Sequence, residues 1–185
     1  MLAGDLARER IYPADMSDLV IRSGIPEDVG DLTRIYNSAI LNTTATFDIV
    51  PKTVEERIGW FESHSDDYPL LVADLDGRAV GWAEIRPYGT RAAYRHTVEN
   101  AVYVDERYQG RGIGAALLEA LLEAAKKRNH HAVIALIVGG NEASERLHIR
   151  HGFELVGCMR EVGRKFDRWL DVLVYEKILD TGVRE

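Results

Sequence analysis

A chain of 185 residues with 23 Lys and Arg against 30 Asp and Glu carries a formal charge of −7, and its length suits one domain with enough interior to fill a core. Hydrophobic residues at 46% and charged residues at 29% exclude a disordered, collagen-like or low-complexity chain. The acidic surplus argues against a general nucleic-acid binder, which needs Lys and Arg to neutralise phosphate. Cys158 is the only cysteine, so an internal disulfide and a thiolate metal cage are excluded and a reducing compartment is expected. No run of about 18 apolar residues reads as a membrane span, and the amino terminus mixes charges without an apolar signal core. The expected location is the cytoplasm.

Residues 1–18, polar and aperiodic around Pro13, read as a loosely held extension in which Met16 offers a second start. A strand is expected over 19–22. Pro26, with Glu27 and Asp28 behind it, signals a helix start, and Val29, Leu32, Ile35, Tyr36, Ala39 and Ile40 follow at helical spacing. After a turn-like stretch from Asn42 to Pro51, the capping-box pattern Thr53-Val54-Glu55-Glu56 opens a second helix carrying Ile58 and Phe61. Strands over 69–75 and 79–85 flank Asp76-Gly77 as an antiparallel hairpin. A third strand is expected over 97–104 and a long Ala/Leu helix over 112–128, with Asn129 able to cap it. The apolar run Ala132 to Val138 suits a central strand covered on both faces. A short helix near 142–150 and strands near 153–159 and 172–177 complete one domain over 19–180, with 181–185 a tail. The order predicts an α/β (α+β) domain with a mixed sheet. Cys158, on the first of these last strands, is expected to be a small buried hydrophobe.

Chemistry concentrates at Gln109-Gly110-Arg111-Gly112-Ile113-Gly114-Ala115, where a strand ends and a helix begins. Glycines let backbone N–H groups approach a ligand, and a helix N-terminus offers unpaired donors and partial positive charge. The helix has no carboxylate before Glu119, and Arg107 and Arg111 flank the loop, so a phosphate or pyrophosphate is the expected occupant. A Walker loop would need Gly-Lys-Ser/Thr, which is absent. Gly110-x-Gly112-x-x-Ala115 formally matches the dinucleotide fingerprint, but five residues separate it from the strand and the next strand ends without an acid.

The same residues fit Q/R-x-x-G-x-G/A, the acetyl-CoA pyrophosphate loop of the GNAT superfamily of N-acetyltransferases. They follow Val102-Tyr103-Val104, which resembles the strand lying beside the pantetheine arm in such enzymes. Asn141-x-x-Ser144-x-x-Leu147-His148-x-x-x-Gly152-Phe153 resembles the superfamily's other CoA-side motif. Thr44-Ala45-Thr46-Phe47, Arg91-x-Ala93-Tyr94-Arg95, Thr97-Val98-Glu99-Asn100 and Lys165-Phe166-x-Arg168-Trp169-x-Asp171-Val172 resemble one branch, the phosphinothricin and methionine sulfoximine N-acetyltransferases. The resemblance implies the GNAT fold, a mostly antiparallel central sheet flanked by helices. It also implies acetyl-CoA as co-substrate, a small amino-acid-like amine as acceptor, a homodimer, and direct transfer in a ternary complex.

Acetyl transfer to an amine needs a base, donors for the developing oxyanion, and an exit for the thiolate. Glu99 occupies the position the resembling family assigns to the base, acting directly or through water. As a plain strand carboxylate it would instead pair with Arg95 or His96. His148 is a candidate acid for the CoA sulfur, or a helix-surface histidine. His148 and His151 stand three apart without a carboxylate or Cys cluster, so no metal is expected. Arg86, Arg91 and Arg95 form a basic cluster before Glu99 that suits an amino-acid carboxylate. Phe47, Ala93, Tyr94, Asn100 and Trp169 are the expected walls of the acceptor pocket.

Overall fold

The computed structural model describes residues 18–180; all but the last residue of the extension expected over 1–18, and the tail over 181–185, lie outside the described residues. In chain order the elements are β1 (Val20–Ser23), α1 (Val29–Asn42), α2 (Val54–Glu62), β2 (Leu70–Leu75), β3 (Arg78–Pro87), β4 (Thr97–Val104), α3 (Ile113–Lys127), β5 (Ala132–Val138), α4 (Glu142–Arg150), β6 (Glu154–Lys165) and β7 (Arg168–Ile178). The strands form one seven-stranded sheet in the order β1-β2-β3-β4-β5-β7-β6. Only β4 and β5 run parallel, joined by the α3 crossover.

Local chemistry explains most boundaries. Pro26 opens a single 3-10 turn before α1, which is where a ring without N–H is best tolerated. Thr53 and Glu56 exchange side-chain and backbone bonds at 2.8 and 3.2 Å at the head of α2. Asp76 and Gly77, both with positive φ, make the two-residue hairpin between β2 and β3. Asn129, at φ 59, takes the left-handed position that ends α3.

The sheet buries both faces, one under α3 and the other under α1 and α2. Beneath α3 lie Leu117, Leu118 and Leu121 with Ala83, Ile85, Val98 and Val133. Under α1 and α2, Leu32 and Ile35 pack with Val72 and Trp82. The inward stripe of α2 and the turn that follows it is Arg57, Trp60, Phe61 and His64, while Ile58 is exposed.

The last two strands are longer than expected. They form one hairpin turning at Phe166 and Asp167, both left-handed, and its register shifts between Met159 and Gly163. That irregularity and the mixed charges of Arg160 to Arg168 hide the alternation of period two. Cys158 is exposed rather than buried, because β6 is the sheet's outer edge and has a neighbour on one side only.

Candidate functional site

The sheet divides where its only parallel pair begins. β4 pairs with β3 from Val98 to Val104, but meets β5 only through Thr97–Glu99 opposite Ala132–Ile134. β5 instead stays with β7 along its whole length. Beyond Glu99 the two strands part, and backbone groups of Asn100 to Val104 are left without a strand on that side. A cleft of about 1680 Å³ fills the gap, lined by Val102, Tyr103 and Val104 on one wall and by Ala135 to Val138 on the other.

One end of the cleft is the glycine loop. Gly112 caps α3 in the left-handed region at φ 87, and Gly110 sits at φ 75 with open space where a Cβ would stand. Gln109 ties the loop down by donating to the Val104 carbonyl at 3.1 Å. Gln109, Gly110, Gly112, Ile113, Gly114 and Ala115 line the cleft, as do Asn141 and Ser144 at the head of α4. The first turn of α3 holds no acidic side chain, so its N–H groups present uncompensated positive character to this end. The flanking arginines do not face it. Arg107 is held by Asp105 at 2.6 Å, and Arg111 lies over the Tyr108 ring at 5.6 Å; neither lines the cleft.

At the fork stands Glu99, whose Oε1 accepts from Arg86 at 2.5 Å. Arg86, and not Arg95 or His96, is therefore its partner. Next along β4, Asn100 is buried and its Nδ2 donates to His148 Nε2 at 2.9 Å. His148 Nδ1 lies 2.8 Å from the Ser144 carbonyl, which can only accept. The imidazole thus carries its proton on Nδ1 and offers none at Nε2. Burial lowers its pKa, with a smaller contribution from His151. The ring is neutral and fully bonded, so it holds Asn100 in place and has no proton to give the cleft.

Residues predicted to bind an acceptor divide into two groups. Phe47, Arg86, Glu99 and Asn100 line the cleft, whereas Arg91, Ala93, Tyr94, Arg95 and Trp169 do not. The first four of these sit at or beside an exposed 3-10 turn, Ala92–Tyr94, outside the sheet; Trp169 is 62% exposed on the outer hairpin. Phe166 and Arg168, its neighbours, line the cleft instead. Phe47 packs so closely on Gly163 that a Cβ there would overlap its ring, and Lys165 Nζ holds the same loop through the Thr46 carbonyl at 2.8 Å.

The sequence reading missed an aromatic chamber on the α1–α2 side. Tyr36, Trp60, Trp82 and Tyr103 meet there with ring centroids 4.7–6.0 Å apart, enclosing the Arg57 guanidinium. Glu84, buried beside it, accepts from Trp60 Nε1 at 3.0 Å and faces His64 Nε2 at 2.7 Å. His64 Nδ1 points at the Trp60 and Phe61 carbonyls, so the ring is tied to α2 on one side and to Glu84 on the other. The available signal was Arg57 heading an i, i+3, i+4, i+7 stripe with Trp60, Phe61 and His64, a position reserved for core residues.

Among the described residues no group of three His, Cys, Asp or Glu side chains gathers to hold a metal, and no helix is long and apolar enough to cross a membrane. Compared with known proteins, residues 32–153 match the model of the acetyltransferase (GNAT) family. A phosphinothricin N-acetyltransferase of Streptomyces coelicolor is 44% identical over 167 residues, covering 88% of this chain and 98% of that one. An L-methionine sulfoximine/L-methionine sulfone acetyltransferase of Pseudomonas aeruginosa is 40% identical, covering 86% and 94%. The crystal structure of a phosphinothricin acetyltransferase from Sinorhizobium meliloti, in complex with acetyl-CoA, superposes with a TM-score of 0.84 at 34% identity, covering 88% and 89%.

Proposed function

The chain belongs to the acetyltransferase (GNAT) family, and from that membership we propose that it moves acetyl from acetyl-CoA to the α-amino group of a small amino acid of the phosphinothricin or methionine sulfone type, by direct transfer in a ternary complex. The observation that carries this reading is the fork itself. One carboxylate, Glu99, stands where the strands separate, in a cleft whose lining includes both the glycine loop and the aromatic side chains of Tyr36, Trp60, Trp82 and Tyr103.

The residues suit acetyl-CoA. Open space at Gly110 and the free N–H groups opening α3 suit a pyrophosphate, and the unpaired edge of Val102 to Val104 suits the amides of a pantetheine arm. Bound there, acetyl-CoA supplies the thioester at the fork. Glu99 removes the ammonium proton of the acceptor, through one water where the carboxylate does not reach it. Arg86 aims the Glu99 carboxylate through their ion pair and, being largely exposed, turns its remaining N–H groups to the α-carboxylate beside the amine. Asn100 is fixed by His148, whose Nδ1 proton is taken up by the Ser144 carbonyl. No dedicated acid is required at the thiolate, because a thiol of ordinary pKa about 8.5 recovers its proton from water near neutral pH.

Measuring CoA-thiol release with methionine sulfone, its amide, a short Met-initiated peptide and a polyamine tests this reading. The free acid should be the best acceptor, with the amide lower by about 2–4 kcal/mol of transition-state binding, the cost of losing a charge-assisted pair. Equal turnover of the amide or peptide would overturn the small-amino-acid assignment. No release with any amine would leave an acyl-CoA-binding module.

The chain is further proposed to act as a homodimer across its outer edge. Leu155, Val156, Met159 and Val162 are exposed on β6, the last strand of the sheet, and natural proteins cover such edges. Sedimentation should return twice the 20.8 kDa chain mass. The exposed thiol of Cys158 suits a reducing compartment, which agrees with a cytoplasmic location.

A further inference from the structure

Arg57 is 6% exposed, forms part of the cleft wall and has no ion pair among the described residues. Its Nε and Nη2 are enclosed and make no hydrogen bond, and the Trp82 indole N–H in the same chamber is likewise unpartnered. The guanidinium carbon stands 3.2 Å from the Trp60 ring centroid, 4.8 Å from Tyr36 and 5.3 Å from Trp82. Those faces favour a cation, but they supply no acceptor for its N–H groups. Nearby carboxylates are already committed: Glu84 to His64 and Trp60, Asp48 to Tyr36 and Lys52, Glu99 to Arg86. Burial lowers the guanidinium to about 10, so at neutral pH it remains charged. Three enclosed donors without an acceptor, and a positive charge without an ion pair, therefore stand in the aromatic wall of the cleft, a costly arrangement unless something else supplies the acceptor.

Register places this chamber relative to Glu99. Arg86 lies opposite Glu99, Glu84 opposite Ala101 and Trp82 opposite Tyr103, all on the α1–α2 face. Successive rows on one face are two residues, roughly 7 Å, apart. Arg57, above the Trp82 and Glu84 rows, is thus between one and two rows from the base. An α-carboxylate lies too close to its own amine to span that gap. In methionine sulfone five bonds separate the amine from the sulfonyl oxygens, about 6 Å when extended, which leaves room for one hydrogen bond at each end.

We propose that Arg57, seated among the aromatic rings and backed by the Trp82 indole N–H, is the specificity-determining residue that receives the oxygens of a sulfonyl or phosphinyl group at the end of the acceptor's side chain. The inference rests on the amino-acid acceptor reading above and adds what the side chain must carry. Methionine, with the same skeleton and a bare thioether, cannot satisfy the three donors.

The test compares kcat/KM for methionine sulfone and methionine in the wild type, Arg57→Met and Trp82→Phe, with methionine sulfone binding followed separately by tryptophan fluorescence, since Trp60 and Trp82 flank the guanidinium. Wild type should favour the sulfone by about 100-fold or more, as a site with unpaired donors rejects an analogue lacking the acceptor. Arg57→Met should bring the ratio within a few-fold of one, and Trp82→Phe, which keeps the ring, should lower it part of the way. Because each ratio is taken within one protein, a general loss of activity does not imitate this result. Should Arg57→Met fail to fold, Trp82→Phe alone decides. A ratio retained in both variants, or no wild-type preference, overturns the assignment of Arg57 while leaving amino-acid acetylation standing. If wild type acetylates neither compound, the acceptor reading itself falls, and this one with it.

Discussion

Arg86 and Glu99 face each other across β3 and β4, and a guanidinium bonded to a carboxylate fixes its direction. Glu99→Gln should lower turnover by about 10²–10⁴-fold while acetyl-CoA still raises the melting temperature as in the wild type. Undiminished turnover at neutral pH would leave Glu99 a structural residue. His148 acts differently. With its folded-state pKa depressed by burial, its contribution to stability is complete above the ordinary histidine range near 6.5 and is lost as pH falls below it, because the unfolded ring then binds the proton first. Urea titrations between pH 7 and 5 should show this decline in the wild type and a flatter one in His148→Gln. Residues were unevenly legible in the sequence. Glu99 and the glycines stand in short local motifs, so their role could be read from neighbours. Arg57 could not, because its meaning comes from Trp82 and Tyr103 on strands distant in sequence. The Arg91–Arg95 cluster misled for the converse reason, since proximity to Glu99 in the chain puts it on a turn outside the cleft.

Two elements translate backbone geometry directly into binding. Gly112 must adopt φ 87 to cap α3, a conformation hostile to a β-branched residue. Gly112→Val should both strain the turn and reduce the melting-temperature gain from acetyl-CoA, and equal stabilisation of variant and wild type would detach the loop from the cofactor. In the final hairpin, Gly163 leaves the space that Phe47 occupies. Gly163→Val should displace that ring and raise the acceptor KM by about tenfold, with the acetyl-CoA KM little changed; matched increases in both would indicate general damage. The periodic elements were legible because their signals are local: the capping box of α2, the Asp76-Gly77 turn, the Ala/Leu face of α3. The length of the last hairpin was not, since a bulge and an edge position remove the alternation that marks a strand.

Across the whole molecule, Asp105 ties the α1 face to the β4–α3 connection, accepting from Arg34 at 2.5 Å and from Arg107 at 2.6 Å. Its hydrogen bonds to Arg107 are the largest cause holding its pKa far below the usual carboxylate range, with Arg34 adding to it and burial opposing. A depressed carboxylate stabilises the fold above its unfolded pKa and loses that effect as pH falls towards the folded value. Asp105→Asn should therefore cost about 2 kcal/mol at neutral pH, lowering Tm by roughly 4–8 °C. The gap between variant and wild type should narrow steadily below about pH 4. A constant gap down to pH 2 would show that the carboxylate's charge contributes nothing.

The parting of β4 from β5 has a mechanical consequence. Strands β1 to β4 form one leaf and β5 to β7 another, and along their shared spine only three residue pairs are stitched, with α3 as the binding over one face. A sheet normally transmits load through every rung of its ladder; this one is a book held at one corner. Whatever lies along both free margins closes the book and adds rungs, so its effect should spread well beyond the atoms it touches. Amide deuterium uptake in β2 and in β3 from Arg78 to Gly81, none of which lines the cleft, should slow when acetyl-CoA binds. Protection confined to the residues that line the cleft would mean the leaves are already rigidly joined without it.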